Sequence, residues 1–208
     1  MTELEVFADV SCPFAHVGLA RAVAARDAAG RHDVVFVVRA WPLELVNGRP
    51  LDGLAVAEKV AALRASVAPD RFEGYDPDAF CATTIPALAL TAVARSADLR
   101  TGEAVALELR RLQFDQGQDV SAPEVLQVVA EAHGLVPPSP EDELDLVLED
   151  WAAGRARAVP GSPTYCCGEA QFFCPALSIE HPTPDTLSVA MDEDGFAAFV
   201  TACLGQPK

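Results

Sequence analysis

No two cysteines in this 208-residue chain are spaced Cys-x-x-Cys; the six stand at positions 12, 81, 166, 167, 174 and 203. That absence argues against both a zinc ribbon and a redox site built from neighbouring thiols. Cations are scarce as well, 15 Lys and Arg against 31 Asp and Glu for a formal net charge of -16. Such a surface repels phosphate backbones and anionic lipid, so neither nucleic acid nor a membrane is an expected partner. No apolar run is long enough to span a bilayer. Met1-Thr-Glu-Leu-Glu5 has neither the basic region nor the apolar core of a signal peptide. The expected compartment is therefore the cytoplasm, where structural disulfides are rare, and most of the cysteines read as buried thiols acting as small hydrophobes. The four histidines, at 16, 32, 133 and 181, show no ligand spacing, and there is no glycine-rich phosphate loop. No metal and no tightly bound cofactor is expected.

What is present is an apolar, foldable chain: half the residues are hydrophobic and 22% are charged, enough to bury a full core. Leu4, Val6 and Phe7 read as a short buried strand, followed by an alanine-rich helix from Pro13 to about Ala29. Val34 to Trp41 is a continuous β-branched run that suits a central strand covered on both faces. Together these make a βαβ unit with parallel strands. Asn47-Gly48-Arg-Pro50 is loop chemistry. From Leu54 to Asp150 strand character all but vanishes, and breaks at Pro and Gly mark helices over 54–67, 77–82, 86–97, 101–116, 122–133 and 140–157. Thr84 with Pro86, and Ser121 with Pro123, are helix starts. Strand character returns at Pro163 to Cys167, Gln171 to Phe173 pairs back as a hairpin, and Asp194 to Leu204 is a last amphipathic helix.

Asp9-Val-Ser-Cys-Pro-Phe-Ala-His16 stands at the first strand-to-helix junction. Pro13 falls at the first helical position, where a missing N–H has no consequence, so Cys12 is the N-cap. A sulfur there faces unpaired backbone N–H groups and the positive end of the helix dipole, which favour thiolate over thiol. The expected Cys12 pKa is below the ordinary thiol value of about 8.5. His16, four residues on, lies on the same helix face and is a candidate acid-base partner, against the plainer reading of a packed or surface histidine. Asp9 ends the strand beside the site, either tuning Cys12 or capping backbone. Trp41, Pro42 and Phe14 line an apolar cleft or fill the core. Cys166 and Cys167 read as core, with either of them or Cys174, expected to be the most exposed, open as a resolving thiol for Cys12.

The order βαβ, helical block, ββα, with Cys12-Pro-Phe-Ala15 after the first strand and Ser162-Pro163-Thr164 late in the chain, resembles the DsbA-like branch of the thioredoxin superfamily. Phe114-Asp-Gln-Gly-Gln-Asp-Val-Ser121, Glu124-Val-Leu126 and Ala130-Glu-Ala-His-Gly134 resemble the subgroup holding FrnE-like proteins, 2-hydroxychromene-2-carboxylate isomerases and kappa-class glutathione transferases. The resemblance implies an α/β thioredoxin-like fold with an inserted all-helical subdomain: core 1–53 and 158–208, insertion 54–157, the insertion lidding the active-site end. It also implies that Pro163 is a cis-proline and that the backbone of Ser162 pairs with substrate or glutathione. Pro13, Phe14, Ser162 and Pro163 are then the substrate or glutathione contacts, with Cys12 and His16 the catalytic candidates.

The chain departs from the redox members in having Ala15 where they carry the second cysteine. It departs from the isomerase and kappa-class members in having Cys12 where they carry serine, and Phe172-Phe-Cys-Pro-Ala-Leu177 where they place polar glutathione contacts. The expected function is a monothiol thiol-disulfide oxidoreductase with Cys12 as the thiolate nucleophile. Two alternatives stand beside it: a glutathione-dependent isomerase or transferase acting on a small hydrophobic substrate, and a non-catalytic binding protein. A small thiol or disulfide is the expected partner, glutathione the candidate cofactor, and a homodimer is left open.

Overall fold

The computed structural model describes residues 1–183 and 186–205. Two strands, β1 (Thr2–Ala8) and β2 (Val34–Ala40), flank helix α1 (Pro13–Ala28). Helices α2 (Leu43–Asn47), α3 (Gly53–Ser66), α4 (Ile85–Ala97), α5 (Leu99–Asp115), α6 (Pro123–Ala132) and α7 (Pro140–Ala156) follow. Strands β3 (Thr164–Cys167), β4 (Ala170–Phe173), β5 (Leu177–Thr183) and β6 (Thr186–Met191) precede α8 (Glu193–Phe199), which runs on as a π-helical turn, Val200–Leu204. The last three residues of the expected core, 206–208, lie outside the described residues.

The main sheet has the order β2-β1-β3-β4. β1 and β2 are parallel, with Val6 opposite Val38, whereas β3 runs antiparallel to both β1 and β4. This four-stranded mixed sheet, with helices inserted between β2 and β3, is the thioredoxin-like α/β architecture.

The sheet order corrects the reading of β2 as a central strand: it is an edge, although six of its seven residues are buried. A buried edge must satisfy backbone groups that no neighbouring strand pairs. Side chains do this at every second residue. The Phe36 N–H donates to Glu103 Oε2 at 2.6 Å and the Ala40 N–H to Asp150 Oδ2 at 2.9 Å. The Val34 carbonyl accepts from Arg26 at 3.5 Å and the Val38 carbonyl from Arg95 at 3.0 Å. Hence four helices, α1, α4, α5 and α7, each supply a charged residue that seals the edge, and the continuous apolar run is explained without a second partner strand.

Other expectations need correction. Residues 77–82 form turns and bends, with Asp76 Oδ1 accepting the Asp78 N–H at 2.9 Å, a turn that competes with helix. Asn47-Gly48 closes the short helix α2, with Gly48 in the left-handed conformation (φ 70°) that ends helices, so a helix end had been read as a plain loop. The β5–β6 hairpin, a separate two-stranded sheet, was not anticipated.

Candidate active site

The Asp9–Cys12 loop is built around a carboxylate. Asp9 is fully buried, and its Oδ1 accepts the Ser11 N–H and hydroxyl, each at 2.7 Å. Its Oδ2 accepts the Leu43 N–H at 2.6 Å and the Thr84 hydroxyl at 3.4 Å. Asp9 thus caps backbone and ties the loop to α2 and the start of α4; burial pushes its pKa up. Glu44, which the sequence reading passed over, caps α4 in place of Thr84: its Oε1 accepts the Thr84 N–H at 2.8 Å and the Ile85 N–H at 3.1 Å. An acidic residue two past Pro42 was its one visible signal.

The opposing loop is joined to this one directly. The Ser162–Pro163 peptide is cis, and the Ser162 hydroxyl oxygen accepts the Asp9 N–H at 2.9 Å. Cys12 is the N-cap of α1 with Pro13 following, and its Sγ lies 3.4 Å from the Ser162 carbonyl oxygen, as an S–H donor to it. Helix α1 reaches the loop because residue 18 is glycine: a Cβ there would lie 3.2 Å from the Tyr165 hydroxyl and 3.6 Å from Pro163 Cγ. On the far side the Cys174 N–H donates to the Pro163 carbonyl at 2.9 Å. Cys12, Pro13, Ser162 and Pro163 are therefore one constellation. Phe14 is half-buried, packed where α1 meets the apolar residues around Val17 and Val56.

The thiolate expectation is overturned by burial. Cys12 is 3% exposed, and desolvation, the largest influence, pushes its pKa above the ordinary value. The Ser162 hydroxyl and the N–H groups of Ala15 and Phe14 pull it down, as the helix-mouth argument requires, but by less, while the Asp9 carboxylate adds to the rise. In this closed arrangement Cys12 is a neutral thiol.

His16 is engaged elsewhere. Its Nε2 lies 3.0 Å from Asp115 Oδ1, and its ring stacks on Phe114 and meets the edge of Phe72, each centroid 5.3 Å away. Burial pushes its pKa down in spite of the carboxylate. The contact to His16 helps hold Asp115 below the usual range although burial opposes it, so the pair is a neutral imidazole on a carboxylate. The plain reading of a packed histidine fits this placement.

The remaining cysteines divide. Cys167 is disulfide-bonded to Cys203, with Cα atoms 5.6 Å apart, which corrects the expectation of buried thiols for both. Cys174 is buried rather than exposed, and burial, with the nearby Cys12, pushes its pKa up to about 12. Cys166 packs with Phe7, Trp41 and Val159, as core. The side chain of His181 lies outside the described residues.

Sequence reasoning also missed Arg110 and Tyr165. Arg110 is 1% exposed beneath the Asp9 loop, its Nη2 donating to the Asp9 carbonyl at 3.2 Å and its Nη1 to the Ala106 carbonyl at 2.7 Å. Its Nε and the Tyr165 hydroxyl are buried with no partner among the described residues. The only sequence signal for Arg110 is spacing, since Glu103, Ala106, Arg110 and Gln113 fall on one buried face of α5.

No family model matches this chain, and no curated protein does. Solved structures do. A probable DsbA oxidoreductase from Streptomyces coelicolor aligns with a TM-score of 0.61 at 19% identity, covering 100% of this chain and 92% of that one. The cytosolic disulfide reductase DsbM from Pseudomonas aeruginosa, solved with GSH, aligns at 0.60 and 15% identity over 95% and 96% of the two chains. A 2-hydroxychromene-2-carboxylate isomerase aligns at 0.58 and 14% identity over 83% and 88%.

Proposed function

From a chain that has the DsbA-like fold of the thioredoxin superfamily, we propose a monothiol thiol-disulfide oxidoreductase in which substrate binding itself ionises Cys12. The observation that carries this reading is the hydrogen bond from the Cys12 thiol to the Ser162 carbonyl. A peptide-like disulfide laid along Ser162 donates its own N–H to that carbonyl and displaces the thiol. The sulfur is then left with the Ser162 hydroxyl and the N–H groups of Ala15 and Phe14, the partners that favour thiolate. Pro13, Phe14, Ser162 and Pro163 form the contact surface, and segment 54–157 is its lid over the core 1–53 and 158–208.

The chemistry is two exchanges. The Cys12 thiolate attacks one sulfur of a mixed disulfide between a substrate and glutathione, forming Cys12–S–S–glutathione and releasing the substrate thiolate, which takes up a proton. A second glutathione thiolate attacks the glutathione sulfur of this adduct, forming oxidised glutathione and regenerating Cys12. With Ala15 in place of a second cysteine, the external thiol supplies the step that an internal one otherwise would. Glutathione as co-substrate is supported by the neighbour solved with GSH, and a cytoplasmic setting by that neighbour's description as cytosolic. His16, bound to Asp115, takes no part.

The test is mass mapping after incubation with oxidised glutathione, alongside turnover of a glutathionylated peptide. We expect a glutathione adduct on Cys12 and turnover that Cys12→Ser abolishes, whereas in the free protein iodoacetamide alkylation of Cys12 is half-maximal above the ordinary thiol value of about 8.5. The depth of Cys12 supports one rival, a binding module with an inert thiol. An unmodified Cys12 that reacts only in denaturant would establish that rival and end the enzymatic reading.

A further inference from the structure

Between α1 and α5 lies a cavity of about 230 Å³ lined by His16, Ala20, Val23, Arg71, Leu107, Arg110 and Arg111. Three guanidiniums around one small cavity stand out in a chain whose 15 basic residues face 31 acidic ones. They are unequally neutralised. Arg71 has Asp115 at 3.4 Å and Arg111 has Glu108 at 3.7 Å, both long, partly exposed contacts. Arg110, the most buried of the three, has two backbone carbonyls, no paired carboxylate and a free Nε among the described residues. The other buried arginine, Arg26, is closed by Glu103 at 2.6 Å and Asp27 at 2.9 Å. The buried Asp9 carboxylate acts on Arg110 only through space, its oxygens being taken by Ser11, Leu43 and Thr84; a buried guanidinium so incompletely neutralised is unfavourable, and the open space is beside it.

We propose that this cavity binds a small organic monocarboxylate, its charge held by the three arginines and its apolar body against Ala20, Val23 and Leu107. Within salt-bridge distance the three guanidiniums meet only two carboxylates, Asp115 and Glu108, an excess that suits a monoanion better than a phosphate ester. The walls contributed by α1 and Leu107 call for an apolar group rather than a bare inorganic ion. Cys12 does not line this cavity and reaches Arg110 only through space, so ligand binding there does not depend on the thiol chemistry above.

Benzoate and its neutral counterpart benzyl alcohol, titrated into the whole protein by calorimetry at constant ionic strength, test the proposal. We expect benzoate to bind saturably and at least about tenfold more tightly than benzyl alcohol. Arg110→Met, with its fold checked by circular dichroism, removes that preference. Ala20→Leu fills the cavity without touching a charge and weakens both ligands, which keeps the test decisive should Arg110→Met not fold. Cys12→Ser leaves benzoate affinity unchanged. Equal affinity for the two probes, wild-type benzoate binding in Ala20→Leu or in folded Arg110→Met, loss of binding in Cys12→Ser, or no saturable binding of benzoate would each overturn it.

Discussion

The edge of β2 and the ground beneath the Asp9 loop solve the same problem in opposite ways. Both bury charge against backbone. At the β2 edge every buried charge closes on another: Asp150 takes the Ala40 N–H, Arg39 at 2.9 Å and Arg95 at 2.8 Å, while Glu103 takes the Phe36 N–H and Arg26. Beneath the loop, Asp9 spends its oxygens on Ser11, Leu43 and Thr84, while Arg110 Nε and the Tyr165 hydroxyl have no partner among the described residues. The first arrangement holds a fold together. The second stores unmet polar capacity next to the Cys12 sulfur and a cavity, which is where a protein interacts with something other than itself.

The widest separation between the two regions comes from removing the β2-edge carboxylate. Asp150→Ala leaves the Ala40 N–H unpaired and two guanidiniums without their shared partner, and should cost about 3 kcal/mol, the lower end for breaking a buried pair because Arg39 and Arg95 keep some solvent. Urea melts of the variant should show a lower midpoint at unchanged slope. A loss under about 1 kcal/mol would mean that the edge is held by packing alone.

Next in size is the covalent tie. The Cys167–Cys203 bond closes a separation of 36 residues and joins β3, the strand after the Ser162–Pro163 loop, to the π-helical end of the chain. If this side of the molecule lacks a closed charge network, the bond carries part of its stability, about 2–4 kcal/mol. Urea melts with and without dithiothreitol measure it, with Cys203→Ser reproducing the reduced value. Identical curves would show that these sulfurs stabilise nothing when joined.

These contrasts explain what was legible in the chain and what was not. The βαβ unit and the late hairpin of β3 and β4 were visible because apolar runs and turn residues are local signals, whereas the role of the Ser162-Pro163-Thr164 loop came from the family resemblance. β5 and β6 were missed because Pro182 and Pro184 interrupt an otherwise alternating stretch. Cys12 was correctly placed at the helix mouth, yet its ionisation was read with the wrong sign. Capping is encoded within a few residues, whereas desolvation is set by the core that packs around Cys12, with Tyr165 and Phe199 among residues far along the chain. Arg110 and Arg111 are neighbours of the same type, and only the packing of α5 against α1 buries one and leaves the other half-exposed.

The smallest expected effect is the most discriminating. Burial depresses Arg110 to about 10, so its charged form is disfavoured in the folded chain relative to the unfolded one. At pH 7, below both values, that penalty is present in full; it is relieved only as pH rises through about 10 toward the ordinary arginine range. Arg110→Met removes the penalty together with hydrogen bonds to two carbonyls, and methionine fills much the same volume, so stability at pH 7 should change by no more than about 1 kcal/mol in either direction. The same substitution should move the half-point of Cys12 alkylation to higher pH, because a cation beneath the loop is gone while the N-cap geometry stays. Urea melts and an alkylation pH profile on one sample test both halves. A loss comparable to that of Asp150→Ala would place Arg110 with the β2-edge residues as a structural support, and the contrast between sealed and open charge would fail at its clearest point.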